Sequence, residues 1–144
     1  MIEQDTIRLL RECDAGVEMG IKSIDDVWGS VKSTQFKEYL TACREEHERL
    51  KSEIGKKLDE CGDDGKAPST VARTMSWIKT NMKLGMQDSD HTVADLMTDG
   101  CNMGVKSLHR YLNQYEAADE VSKDIAKRLI NLEEKLAVDI RKYL

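Results

Sequence analysis

Glu18, Cys43, His47, Cys101 and Glu133 carry the carboxylate, thiol and imidazole groups from which proteins build zinc or iron sites and proton-transfer centres. Cys43 and His47 stand one helical turn apart, so both point the same way, and His47 is the polar member of an otherwise apolar stripe. Two readings of His47 follow. In the preferred one the ring is buried and hydrogen-bonded to a carboxylate of a neighbouring helix, Glu18 or Glu133. In the other it ligates a metal ion together with Cys43, Cys101 and a mid-bundle glutamate. Acid–base catalysis would need a cleft and a substrate besides, and the chain holds no catalytic motif, so no residue is given a catalytic role.

These residues meet only if the chain brings four helices together, and the sequence indicates how. Much of the stretch from Leu96 to Leu112 occurs twice. Met19-Gly20-Ile21-Lys22-Ser23-Ile24 is answered by Met103-Gly104-Val105-Lys106-Ser107-Leu108, and Gly16 by Gly100, at an offset of 84 residues. Glu48-Arg49-Leu50, Glu53-Ile54, Lys56 and Leu58 return as Glu134-Lys135-Leu136, Asp139-Ile140, Lys142 and Leu144, at an offset of 86. One helical hairpin written twice accounts for both. The glycine pairs Gly16 and Gly20, Gly100 and Gly104 therefore do whatever they do twice. Each costs about 1 kcal/mol against alanine inside a helix, so something retains it. Close packing against a neighbour is the preferred reason, and the alternative is a small central pocket for a metal or small ligand.

Apolar residues at steps of three and four define the helices. The first, from about Glu3 to Val31, has the stripe Ile2, Leu9, Cys13, Val17, Ile21, Ile24, Trp28 and Val31. Arg11, Glu18, Lys22 and Asp25 form its solvated face. Ser33 or Thr34 caps a second helix that runs to about Glu60, its stripe being Phe36, Leu40, Cys43, His47, Leu50, Ile54 and Leu58. Cys61 to Pro68 is the clearest loop. A helical piece with Val71, Met75, Ile78 and Met82 follows, without a counterpart in the repeat, and reads as a crossover along the bundle. Asp88-Ser89 caps a third helix reaching about Tyr115, with Val93, Met97, Cys101, Val105, Leu108, Leu112 and Tyr115 inward. The fourth follows Asp119, with Val121, Ile125, Leu129, Leu132, Leu136, Ile140 and Tyr143 inward. The methionines, Met97 and Met103 among them, read as core filler.

The expectation is one all-α domain over 1–144: hairpin one at 3–61, a long helical crossover at 62–88 between helices two and three, and hairpin two at 89–144. Both hairpins are antiparallel; a ferritin-like four-helix bundle is the leading arrangement, with an up-down-up-down bundle as the alternative. One proline, one phenylalanine and 34% charged residues agree with long amphipathic helices. A net charge of −5 offers no field for nucleic acid or anionic lipid. No apolar run approaches the ~20 residues that span a bilayer, and the N-terminus lacks the pattern of a secretory signal. A cytoplasmic protein is expected, with its four cysteines as thiols.

Leu10, Cys13 and Gly16, the E-H-x-x-L of Glu46, His47 and Leu50, the segment around Trp77 and the core after Asp95 together resemble uncharacterised bacterial ferritin-like four-helix proteins, domains of unknown function. The resemblance implies a ferritin-like bundle, with a homodimer as the expected assembly, whose relatives hold two irons between carboxylates and histidines. This chain departs from that chemistry. A di-iron bundle uses two Glu-x-x-His pairs, but Arg44 stands three before His47 and Ile130 three before Glu133, and His91 and His109 do not supply the motif. The preferred function is thus non-enzymatic, an accessory or stress-related bundle acting through protein contacts or binding, without a cofactor. The alternative is a zinc- or iron-binding bundle with a degenerate mid-bundle site and redox activity.

Overall fold

In the computed structural model of the chain, residues 3–62 and 89–144 are described. The expected crossover at 62–88 lies outside them except for Gly62, as do Trp77, Met75, Met82 and Met86. The described residues form four helices and no strand: α1 Gln4–Trp28, α2 Thr34–Glu60, α3 Asp90–Gln114 and α4 Glu120–Asp139, followed by a short 3-10 turn at Arg141–Tyr143. No described helix is long and apolar enough to cross a membrane.

The helices begin where side chains satisfy orphan amides. Ser33 accepts from the Phe36 amide at 3.3 Å, Ser89 from Thr92 at 3.2 Å and Asp119 from Ser122 at 2.8 Å. Gly62 closes α2 at φ +76°, a left-handed turn that glycine makes without strain. Two long-range contacts tie these starts together. The Asp90 carboxylate, in the first turn of α3, accepts from the Lys32 amide at 2.6 Å and the Ser33 amide at 3.1 Å, just ahead of α2. The Thr6 hydroxyl, in the first turn of α1, accepts from the Asp119 amide at 2.9 Å, just ahead of α4.

Helix α1 packs mainly on α2, and α3 on α4. The core has two lobes. One gathers Leu9, Leu10, Cys13, Leu50, Ile54, Leu58, Ile125 and Leu129; the other gathers Ile24, Val27, Phe36, Leu40, Val93, Met97, Leu136 and Ile140. Three side chains expected in the core lie elsewhere. Trp28 is 43% exposed while Val27 is buried: the indole donates to Thr41 Oγ1 at 3.3 Å and carries the Lys37 ammonium 4.4 Å above its ring, so its apolar face is covered by a lysine and not by the core. Val121 is exposed and Ser122 takes the inward position. Met103 is 48% exposed, at the rim of a cleft, whereas Met97 fills the core. Helix α4 stops at Asp139, short of Tyr143, because the final turn tightens and lays the Tyr143 ring flat on Phe36, centroids 4.1 Å apart.

Candidate functional site

Between the two lobes the core is interrupted by a polar pair. His47, from the middle of α2, is fully buried, and Glu133, from the middle of α4, is 8% exposed. His47 Nε2 lies 2.9 Å from Glu133 Oε1, and His47 Nδ1 lies 2.8 Å from the Cys43 carbonyl oxygen one turn earlier. Both partners are acceptors, so both ring nitrogens donate and the ring is an imidazolium facing a carboxylate. Burial of the ring opposes that charge. Hydrogen bonds at Cys43 and Glu133, with the charge of the Glu133 carboxylate, outweigh the burial and push His47 up to about 10.

Each metal-ligand candidate has a definite place. Cys43 Sγ is 3.7 Å from Nδ1, on the ring edge opposite Glu133. Cys101, on α3, is buried against Glu133; burial and then the neighbouring carboxylate push its thiol far up, so it is not a thiolate at neutral pH. Glu18 does not join this group. It pairs with Lys51 at 2.5 Å, and Asp14 shares that lysine at 3.2 Å. The cysteines form no disulfide. Among the described residues no group of three or more His, Cys, Asp or Glu is arranged to hold a metal ion. The donor set does not fit a di-iron centre: both imidazole nitrogens are engaged, two thiols approach from different edges of the ring and its partner, and Glu18 is elsewhere.

A cleft of about 230 Å³ opens beside the pair, between α1 and α3. Sequence reasoning placed its glycines but missed the rest of its wall. Gly16 and Gly100, Met19 and Met103, Gly20 and Gly104, Ser23 and Ser107 all border it, each pair at the 84-residue offset. The signal was present in the repeated Met-Gly-x-Lys-Ser, whose methionine and serine sit one helical turn from one another and on the glycine face. Glu12 and Tyr111 also border the cleft, and Glu133 and Cys101 lie at its floor with Leu129 and Leu136.

The four glycines are not equivalent. A Cβ on Gly20 would stand 2.7 Å from both Cδ2 and Nε2 of His47, so this glycine is what lets the ring lie against α1. A Cβ on Gly16 would meet Leu129 at 3.4 Å. Among the described residues, on Gly100 it would meet nothing within 4 Å, and on Gly104 only Glu133 Oε2 at 4.0 Å. Close packing therefore accounts for Gly20 and, more loosely, Gly16. Among the described residues it does not account for Gly100 and Gly104, which border the cleft. Compared with protein-family models, curated proteins and solved structures, the chain matches none.

Proposed function

We propose that this chain is a non-enzymatic binding bundle whose working part is the glycine-lined cleft between α1 and α3, floored by the buried His47–Glu133 pair. That cleft is the observation that carries the reading. The chemistry beside it argues for holding a ligand over transforming one. An imidazole pushed up to about 10 with both nitrogens donating is not a general base at neutral pH. A thiol raised by burial is a poor nucleophile.

We further infer a ferritin-like arrangement of two related hairpins. The Asp90 bond to the start of α2 and the Thr6 bond to the start of α4 support α2 and α3 running one way and α1 and α4 the other. That places the end of α2 and the start of α3 at opposite ends of the bundle, as a crossover topology requires. A duplication is supported by position. Thr6 and Asp90 are separated by the 84-residue offset, Ser33 and Asp119 by the 86-residue offset, and the bonded pair His47 and Glu133 is itself 86 residues apart.

Metal analysis of protein purified without added chelator tests the reading. The expected result is no stoichiometric transition metal and a melting temperature indifferent to chelator. One equivalent of zinc or iron that vanishes in His47→Ala would overturn it in favour of a metal-binding bundle.

A further inference from the structure

The described lining of the cleft is an apolar wall over a floor that carries the Glu133 carboxylate, and it includes no lysine or arginine. Gly100 and Gly104 stand in its wall with no close neighbour among the described residues, although each glycine costs a helix about 1 kcal/mol against alanine. A methyl group at either place would project into the open space, so these positions keep a volume available. What that volume faces is specific. Glu133 is 8% exposed as a residue and 11% over its side chain, and its carboxylate offers about four acceptor positions. His47 Nε2 takes one on Oε1, and the buried Cys101 thiol neighbours the same carboxylate. Oε2 lies toward Gly104 and the cleft, with acceptor capacity left over.

We propose that the cleft binds a small organic cation, a primary ammonium on an apolar body, with its charged head on Glu133 and its carbon skeleton between Met19 and Met103. This rests on the reading of the chain as a binding bundle. The alternatives fit less well. Among the described lining residues an anion would meet two carboxylates, Glu12 and Glu133, and no lysine or arginine. A neutral apolar molecule would cover Glu133 without offering it a donor, which costs the desolvation of a buried acceptor. An ammonium supplies charge-assisted hydrogen bonds in a setting screened from water. A quaternary ammonium prefers a cage of several aromatic rings, and Tyr111 is the one aromatic residue on the described lining. Size narrows the class further. A cavity of ~150 Å³ admits benzene, so about 230 Å³ holds a ligand of roughly seven to ten non-hydrogen atoms.

The test is calorimetric titration of the full-length protein at pH 7 with hexylamine, hexan-1-ol and hexanoate, three chains of matched length and different heads. Hexylamine is expected to saturate one site at least tenfold more tightly than hexanol, with no binding of hexanoate. Glu133→Gln should erase the amine's advantage, and Gly100→Leu, which fills space where nothing lies within 4 Å, should abolish binding of both amine and alcohol. Should Glu133→Gln fail to fold, the ranking of the three ligands and the Gly100→Leu result still decide. If hexanol or hexanoate matches hexylamine and Gly100→Leu removes that binding, the cationic ligand class falls and the binding cleft stands. If none of the three binds, or Gly100→Leu leaves binding unchanged, both fall.

Discussion

A single methyl group separates the roles of glycines that look alike in sequence. In Gly20→Ala the new Cβ meets the His47 ring, which is fixed by hydrogen bonds at both nitrogens and cannot swing aside without breaking one of them. The variant should lose about 2–4 kcal/mol of stability, the usual cost of disrupting a buried polar network. Gly104→Ala meets only an ordinary contact and gains helix propensity, so its stability should stay level or rise by up to about 1 kcal/mol. Urea unfolding midpoints of the two variants decide the matter, and equal losses would contradict the described geometry. The equivalence of the glycines was legible in the repeat, but the difference was not, because it depends on which neighbouring helix carries a large side chain at that height. The same holds for the two glutamates. Helical phase puts Glu18 and Glu133 alike at the flank of their stripes. Only Lys51, reaching across from α2, draws Glu18 out of the centre and leaves Glu133 to His47.

At the scale of the helices, the starts were readable and their mutual attachments were not. Ser33, Ser89 and Asp119 announce helix starts because capping chemistry is local, a side-chain oxygen reaching an amide three residues on. Asp90 binding the amides of Lys32 and Ser33 is a pairing across 57 and 58 residues that no periodicity encodes. Asp90→Ala should strip two amides of their partner and lower stability by about 1–3 kcal/mol. Hydrogen exchange provides the sharper check: the Lys32 and Ser33 amides should exchange much faster in the variant, with the Phe36 amide still protected by Ser33. Unchanged exchange at both amides would remove this contact from the account. The expected burial of Trp28 and Val121 erred for a related reason. A stripe of threes and fours tolerates a shift of one residue, and Val27 and Ser122 each win the inward place once the neighbouring helix is present.

The molecule as a whole should feel the protonation of one ring. His47 sits near 6.5 in an unfolded chain and is pushed up to about 10 in the fold, so the folded state holds the proton more tightly. Its contribution is fully present below about pH 6.5 and is lost as pH rises toward 10, with a slope of at most about 1.4 kcal/mol per pH unit. The cysteines act in the same direction only above their ordinary value of 9, Cys13 being pushed up to about 12 by burial and the charges of Glu12 and Asp14. The interval from pH 6.5 to 9 therefore isolates His47. Denaturation free energies of the wild type should fall steadily across it, while those of a folded His47→Gln variant should be flatter. Parallel profiles would mean that the ring is neutral in the fold. At this scale the all-helical architecture of four helices was legible from composition and stripe spacing, since both are properties of the chain alone. The cleft was legible only as the alternative to close packing at the glycines, because a cavity is defined by what neighbouring helices fail to fill.

The polar pair also governs alignment. Apolar surfaces slide cheaply: moved by one helical turn, about 5.4 Å, the leucines and isoleucines of α2 would find other leucines and isoleucines on α4. His47 and Glu133 forbid the move, because displacement would strand an imidazolium and a carboxylate in hydrocarbon without each other. They serve as a dowel between two otherwise slippery rods, and the height at which that dowel sits sets where the glycines of α1 and α3 come level.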